Sequence, residues 1–313
     1  MEKRTLHITN GNVLTDYLRE LDFTDDILTW QEMLCEGPTI PNINSQEFFT
    51  LRAQFLKEHY NIEVNLNELQ AELSKLNHAE KYAEINLWFE YDLFCHINLI
   101  GVINLIHQKE INKPIYLICS GRVEGEKRLK GLAELNPDQL KDHYANKILL
   151  KQEDIDLAIA LWRTYCGKDH NILKPYIVKS SSFEYMSNCL KAHLERFPHQ
   201  KSGLSVLEDN ILRLVEKHPI KSKNHLLGYI LNYQGYYGFG DMQLLRLIEK
   251  LYVFIDESET GLKLNRKGHE VLLRKHNFAS EVNNYMVYGG IKRLDFQFSV
   301  EQNKLIKTVS NGD

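Results

Sequence analysis

The spacing of apolar and polar positions divides the chain into short strands and amphipathic helices. Thr5–Thr9 (TLHIT) is a β-rich run closed by the turn Asn10-Gly11-Asn12. Val13, Leu14, Tyr17, Leu18 and Leu21 then recur at helical spacing. Asp25-Asp26 leads into Ile27–Trp30, a second short strand. Strand, helix and strand within about 30 residues predict a parallel pair with a right-handed crossover.

Met33-Leu34-Cys35-Glu36-Gly37-Pro38 opens a proline- and asparagine-rich loop that runs to Asn44. Asn44 or Ser45 can cap the next helix, with Glu47 able to reach back. That helix carries Phe48, Phe49, Phe55 and Leu56, and Arg52 falls on the same apolar stripe. Leu66, Leu69, Leu73 and Leu76 mark a further helix. Glu84–Phe89 is apolar on both faces, as a central parallel strand requires, and it ends in Glu90 and Asp92. The following helix, to His107, is apolar nearly all round, which predicts burial. His96 and His107 share one edge of it about 16 Å apart. They cannot share one ion and read as core or rim histidines. Pro114–Cys119 is a fourth strand, ending in Ser120-Gly121-Arg122.

From there the pattern turns helical: Gly131–Lys147, Asp154–Tyr165 and Phe183–Phe197. Three more helices follow, Leu204–His218, Asn224–Tyr233 and Asp241–Leu251, with the glycine- and tyrosine-rich loop Gln234–Gly240 between the last two. Two short runs, Val253–Asp256 and Leu262–Leu264, flank the turn Glu259-Thr260-Gly261, and Arg266–Lys275 closes the set. Helices followed by a hairpin are the order of a winged helix. The tail, Tyr288–Ile306, alternates Leu294, Phe296 and Phe298 like a strand or hairpin. The expected fold is α/β, with a Rossmann-like parallel sheet in residues 1–125. A helical connecting region spans 126–202, and a winged-helix-like module with its tail spans 203–313.

At 313 residues with 43% hydrophobic and 26% charged content, the chain suits a globular protein of about two domains. A net charge of −4 gives no overall attraction to nucleic acid or anionic membrane. The split is uneven: 23 basic against 29 acidic residues in 1–202, and 15 against 13 in 203–313. The five cysteines form no CxxC pair and read as reduced thiols. MEKRTLHITN has no apolar signal region, and Leu99–Ile106 is too short to span a bilayer. The expected location is the cytoplasm, with no membrane partner.

Parallel strands gather their C-terminal ends on one edge, where open α/β sheets bind ligands. Asn10, Gly11 and Asn12 belong there, with Glu32, Glu36, Glu90, Asp92, Ser120 and Arg122, and Arg52 approaching from its helix. Glu36, Glu90 and Asp92 are the candidate catalytic acids and bases, or cation ligands. Asn10, Gly11, Arg52, Ser120 and Arg122 are candidate ligand binders, Arg52 as an anion clamp. The plainer alternative is that the acids cap helices, Asp92 at Leu93, and that Arg52 pairs inside the core. Neither GxGxxG nor GxxxxGK[ST] is present, which argues against a dinucleotide or Walker-type enzyme. Asn10-Gly11-Asn12 could still offer backbone N–H groups to an anion. Cys35 and Ser120 are the nucleophile candidates, without a GxSxG elbow. Thirteen scattered histidines, with no HExxH, point to no histidine metal site, and the residues leave the cofactor unknown. In the C-terminal module, Gln243, Arg246, Lys250 and Lys263 are the residues for nucleic acid or a partner. Their charge is thin for a specific nucleic-acid binder, which favours a protein partner.

LHITNGN, ILTWQEMLCEGP, Arg52 in FFTLRAQFL, and LWFEYDLFCHINL resemble the bacterial domain-of-unknown-function 1835 family. The looser match GFGDMQLLRLIEKL…LKLNRKGHEVL is similar to the C-terminal module that often follows that domain. The resemblance implies no activity. It implies that Asn10, Gly11, Glu36, Gly37, Pro38, Arg52, Glu90 and Asp92 form one site. The expectation is a small anionic or nucleotide-like ligand at the sheet edge. The alternative is a regulatory or adaptor protein acting through the winged helix.

Overall fold

The computed structural model describes residues 4–308. Strand β1 (Arg4–Asn10) runs through helix α1 (Asn12–Glu20) to β2 (Asp26–Trp30), and the two strands pair in parallel. A two-residue strand, β3 (Gly37–Pro38), and the helices α2 (Gln46–Tyr60) and α3 (Leu66–Ser74) come next. β4 (Tyr82–Phe89) then returns to the other side of β1 and pairs with it in parallel. α4 (Leu93–Gln108) leads on to β5 (Ile115–Cys119), parallel to β4. After α5 (Pro137–Ala145), β6 (Ile148–Leu149) adds an antiparallel edge that the hydropathy pattern does not single out. The strands lie in the order β2-β1-β4-β5-β6, a mostly parallel sheet consistent with the expected Rossmann-like arrangement.

The sheet is buried on both faces, as its near-continuous apolar strands demand. Leu6, Ile8, Leu28, Ile85, Leu87 and Leu117 join the core under α2, α3 and α4. Ile27, Trp88 and Ile118 join the opposite core with Leu14 and Leu18 of α1 and Leu140 of α5. α4 is apolar all round because it has neighbours all round. The sheet lies on one side, and α6 (Gln152–Tyr165) and, after the short α7 (Lys174–Ile177), α8 (Met186–Glu195) lie on the other. His96 is buried in α4, whereas His107 sits at its exposed end. The helix expected over Gly131–Lys147 is split: a short turn at Leu132–Glu134 precedes α5, which starts at Pro137. Proline suits the first helical position, and Asn136 caps it by accepting from the Gln139 N–H.

The C-terminal part has the winged-helix order. α9 (Val206–Lys217), α10 (Lys223–Tyr233) and α11 (Asp241–Leu251) pack together, followed by the hairpin β7 (Ile255–Ser258) and β8 (Gly261–Leu264) and helix α12 (Arg266–Leu272). The tail adds α13 (Ala279–Val282), β9 (Val287–Gly289) and β10 (Ile291–Lys292), then the hairpin β11 (Phe296–Ser299) and β12 (Lys304–Lys307). β9 pairs in parallel with β3, so the tail is hydrogen-bonded to the loop that follows β2. Among the described residues, no helix is long and apolar enough to cross a membrane.

Candidate functional site

β1 leads leftward to β2 and β4 leads rightward to β5, so the strand order reverses between β1 and β4. Ligands in open α/β sheets bind at this reversal. The structure brings Asn10, Gly11, Glu90 and Asp92 to it. The Asn10 amide donates to Cys95 Sγ at 3.0 Å, and its oxygen accepts from Asn98 at 2.8 Å. Donor atoms of Glu90, Asp92 and Cys95 lie within 4.8 Å of one another, a set that could hold a divalent cation. Cys95 carries no sequence signal beyond its spacing of three from Asp92 on a helix.

Each acid here also has a structural task. Asp92 caps α4, accepting from the Cys95 N–H at 2.8 Å. Burial pushes its carboxyl up to about 6, against the bonds from Cys95. Burial, and then the charge of Asp92, push Glu90 up to about 7, against the backbone N–H groups of Leu132 and Ala133. A carboxyl near 7 is tuned for proton transfer. The ground above it is covered, however. The Leu93 N–H donates to the Tyr236 carbonyl at 2.8 Å, and the Phe94 N–H to that of Tyr237 at 3.2 Å. Gly238, at φ +65°, lies so close that a Cβ there would collide with the Asp92 carboxylate.

Four expected site residues are used elsewhere. Arg52 is 1% exposed, and its guanidinium donates to Glu32 and to the carbonyls of Met33, Glu36 and Pro38 at 2.7–3.2 Å. It folds the LCEGP loop and is not an anion clamp, because its donors are already shared among these acceptors. Glu36 is equally buried, bonded to the Tyr60 hydroxyl and to Arg246 Nη2 at 2.9 Å. It lies in this inner network, not on the sheet edge. Gln243 and Arg246 do not face outward from α11. Gln243 is 1% exposed against Cys35, and Arg246 also donates to Asn284 at 2.6 Å and to Tyr60 at 3.3 Å. The face of α11 that a winged helix would present to DNA is turned onto the N-terminal part. Lys250 is half-buried on α11, and Lys263 is exposed on a wing that also carries Asp256, Glu257 and Glu259.

The inner network continues through residues that the sequence pattern leaves unmarked. Arg196 donates to the Cys35 carbonyl and to His193 Nδ1, both at 2.5 Å. His193 Nε2 must then donate to His170 Nδ1, 2.8 Å away, and His170 Nε2 to the Tyr165 carbonyl at 2.8 Å. Arg293 and Asn284 complete it at Glu208. Burial pushes the Cys35 thiol up to about 12, which removes it as a nucleophile at neutral pH. Ser120 is 1% exposed and its hydroxyl has no partner among the described residues. Arg122 is exposed and lines a separate cleft of about 610 Å³ with Cys119 and His143.

The open space is at the ends of β1 and β2. A cleft of about 760 Å³ is lined there by Asn10, Gly11, Asn12, Trp30, Gln31 and Glu32, with Leu56, Ile62, Val64 and Leu69 opposite. α1 begins into it after Gly11, at φ +95°, with no side-chain cap among the described residues and no acid in its first turn. Hydroxyl contacts Thr9–Thr15 (2.5 Å) and Thr15–Thr29 (2.9 Å) hold β1, α1 and β2 together below the turn. Trp30 is 2% exposed, and its indole N–H has no partner among the described residues. The acids that also line the cleft are partnered: Glu32 with Arg52, Glu63 with Lys57, Glu72 with Lys75 and Glu68 with Asn65. A scan against protein-family models finds no match for this chain, and a search of curated proteins finds none.

Proposed function

We propose that the chain binds a small anionic, nucleotide-like ligand in the cleft at the ends of β1 and β2. The anionic group sits on the N–H groups that open α1, and an apolar, planar part lies against Leu56, Ile62, Val64 and Leu69. One observation carries this reading. Among the described residues, an uncapped helix start opens into a cleft that Trp30 lines, and the Trp30 indole N–H has no partner. A buried donor left unmade costs about 1–3 kcal/mol, so an acceptor oxygen from a ligand is favoured there. The N-terminus of a helix favours negative charge for the same reason and through its dipole. The cleft volume is that of a small-molecule site. The Gln31 side-chain oxygen at the end of β2 offers an acceptor for a ligand hydroxyl. The reading is of binding and assigns no reaction. A cytoplasmic setting accords with five free cysteines.

Calorimetric titration with adenosine and sugar phosphates tests it, native against Trp30→Phe. This substitution keeps an aromatic ring, though a smaller one, and removes the donor. Affinity should fall about tenfold, one charge-assisted hydrogen bond. Equal affinity in both proteins, or no binding to the native chain, overturns the reading.

A further inference from the structure

β2 forms one edge of the sheet, and its end lines the open cleft. The pairing with β1 fixes the direction of each backbone group there. The Trp30 carbonyl accepts from the Gly11 N–H at 3.0 Å, so the Gln31 N–H, across the same planar peptide, points away from β1. Thr29, one residue before Trp30, also turns its polar backbone groups outward. An open strand edge is normally covered. Two side chains cover part of this one. Lys75 Nζ donates to the Ile27 carbonyl at 2.6 Å, and Glu72 accepts from the Thr29 N–H at 2.9 Å. The next two groups along the edge, the Thr29 carbonyl and the Gln31 N–H, have no partner among the described residues. They leave an acceptor and a donor side by side, in a cleft whose wall includes the half-buried Ile62, Val64 and Leu69.

We propose that this strand edge reads the base of the ligand, and that the base is adenine. The inference rests on the nucleotide-like reading of the cleft. The start of α1 lies beside Gln31, whose side-chain amide donates to Asn12 Oδ1 at 2.6 Å. A phosphate on α1 therefore puts the sugar side of the base toward Gln31 and its far end toward Thr29. On adenine the far end is the amino group, which donates to the Thr29 carbonyl. The adjacent ring nitrogen accepts from the Gln31 N–H. Guanine and hypoxanthine carry an oxygen in place of that amino group and an N–H in place of that bare nitrogen. They would set acceptor against acceptor and donor against donor. Such a base loses both hydrogen bonds and leaves the Thr29 carbonyl unpaired.

Calorimetric titration of the full chain with adenosine monophosphate, inosine monophosphate and ribose phosphate tests the assignment. Adenosine monophosphate should bind at least about tenfold more tightly than either of the others. In amide spectra it should shift the Gln31 N–H and slow its exchange, and ribose phosphate should do neither. Gln31→Pro deletes that N–H, whereas Gln31→Ala keeps it and removes the same side chain. The proline variant should bind adenosine monophosphate about tenfold more weakly than the alanine variant, and ribose phosphate equally well. Equal affinity of the native chain for the adenine and hypoxanthine nucleotides overturns the inference. So does an unmoved Gln31 amide in the adenine complex, or equal adenine binding by the two variants. Ribose phosphate that binds as tightly as the adenine nucleotide and weakens in Trp30→Phe overturns the base reading and leaves the anion site standing. If no phosphate binds the native chain, both readings fall.

Discussion

Arg246 Nη2 lies 2.9 Å from Glu36 Oε1, joining α11 to the loop after β2 across 210 residues of sequence. The side chains of Arg246 and Glu36 are 14% and 1% exposed. Burial alone raises the Glu36 carboxyl, but Arg246 first, then Tyr60 and Gln243, hold it below the usual range. Removing one partner of such a pair strands the other. Arg246→Ala should lower the unfolding free energy in urea by about 3–5 kcal/mol. A change under about 1 kcal/mol, the value of a surface pair, would contradict a buried tie.

The same contact bears on nucleic-acid binding. With Gln243 and Arg246 turned inward and Asp256, Glu257 and Glu259 on the wing, α11 has little to offer a phosphate backbone. Mobility-shift assays at low salt should show no retained DNA or RNA. A shift that weakens with salt and is lost in Lys263→Glu would restore the DNA-reading alternative.

Acid should weaken the fold before it touches Glu36. Burial lowers His7, His96 and His170 to about 4, and holds His193 well below the usual histidine value. Unfolded histidines titrate near 6.5, so between pH 6.5 and about 4 the unfolded chain binds protons that the folded chain refuses. Each histidine then costs up to about 1.4 kcal/mol per pH unit. Glu90 and Asp92, with raised pKa values, act the other way, but they are two against four. The urea midpoint should therefore fall from pH 7 to pH 5. A constant or rising midpoint would show that these histidines are solvated.

Gly37 is needed for two reasons. Its φ is +85°, and a Cβ there would run into Phe55 and Arg52. Gly37→Ala should cost about 2 kcal/mol or more, because backbone strain and overpacking act together. Gly125, at φ +80° with open space around it, should cost only about 1 kcal/mol on the same change. Thermal unfolding of the two variants compares them directly.

Much of the sheet is legible because burial on both faces leaves a plain mark. Glu84–Phe89 reads as a central strand, and the all-apolar helix after it reads as buried. The Asp92 cap is legible for a similar reason, being a local contact three residues long. What hydropathy hides is the partner of each polar group. Arg52 sits on an apolar stripe whether it clamps a ligand or ties down carbonyls, and Arg246 looks solvent-facing until Glu36 is placed beside it. β3 is two residues long, and its pairing with β9 joins segments some 250 residues apart, beyond the reach of any periodicity. Of the acids legible as a site, Glu90 and Asp92 are real neighbours at the β1–β4 reversal, and Glu36 is not. The cover over them comes from the Gln234–Gly240 loop, which the pattern marks only as a turn.

In the proposed function, the start of α1 and the Trp30 indole receive an anionic ligand. Amide and indole chemical shifts measured during a nucleotide titration test this most directly. A ligand seated there should give saturable shifts at the Asn12 and Val13 amides and at the Trp30 indole N–H, with weaker binding in Trp30→Phe. Saturable binding that leaves all three signals unmoved would contradict it.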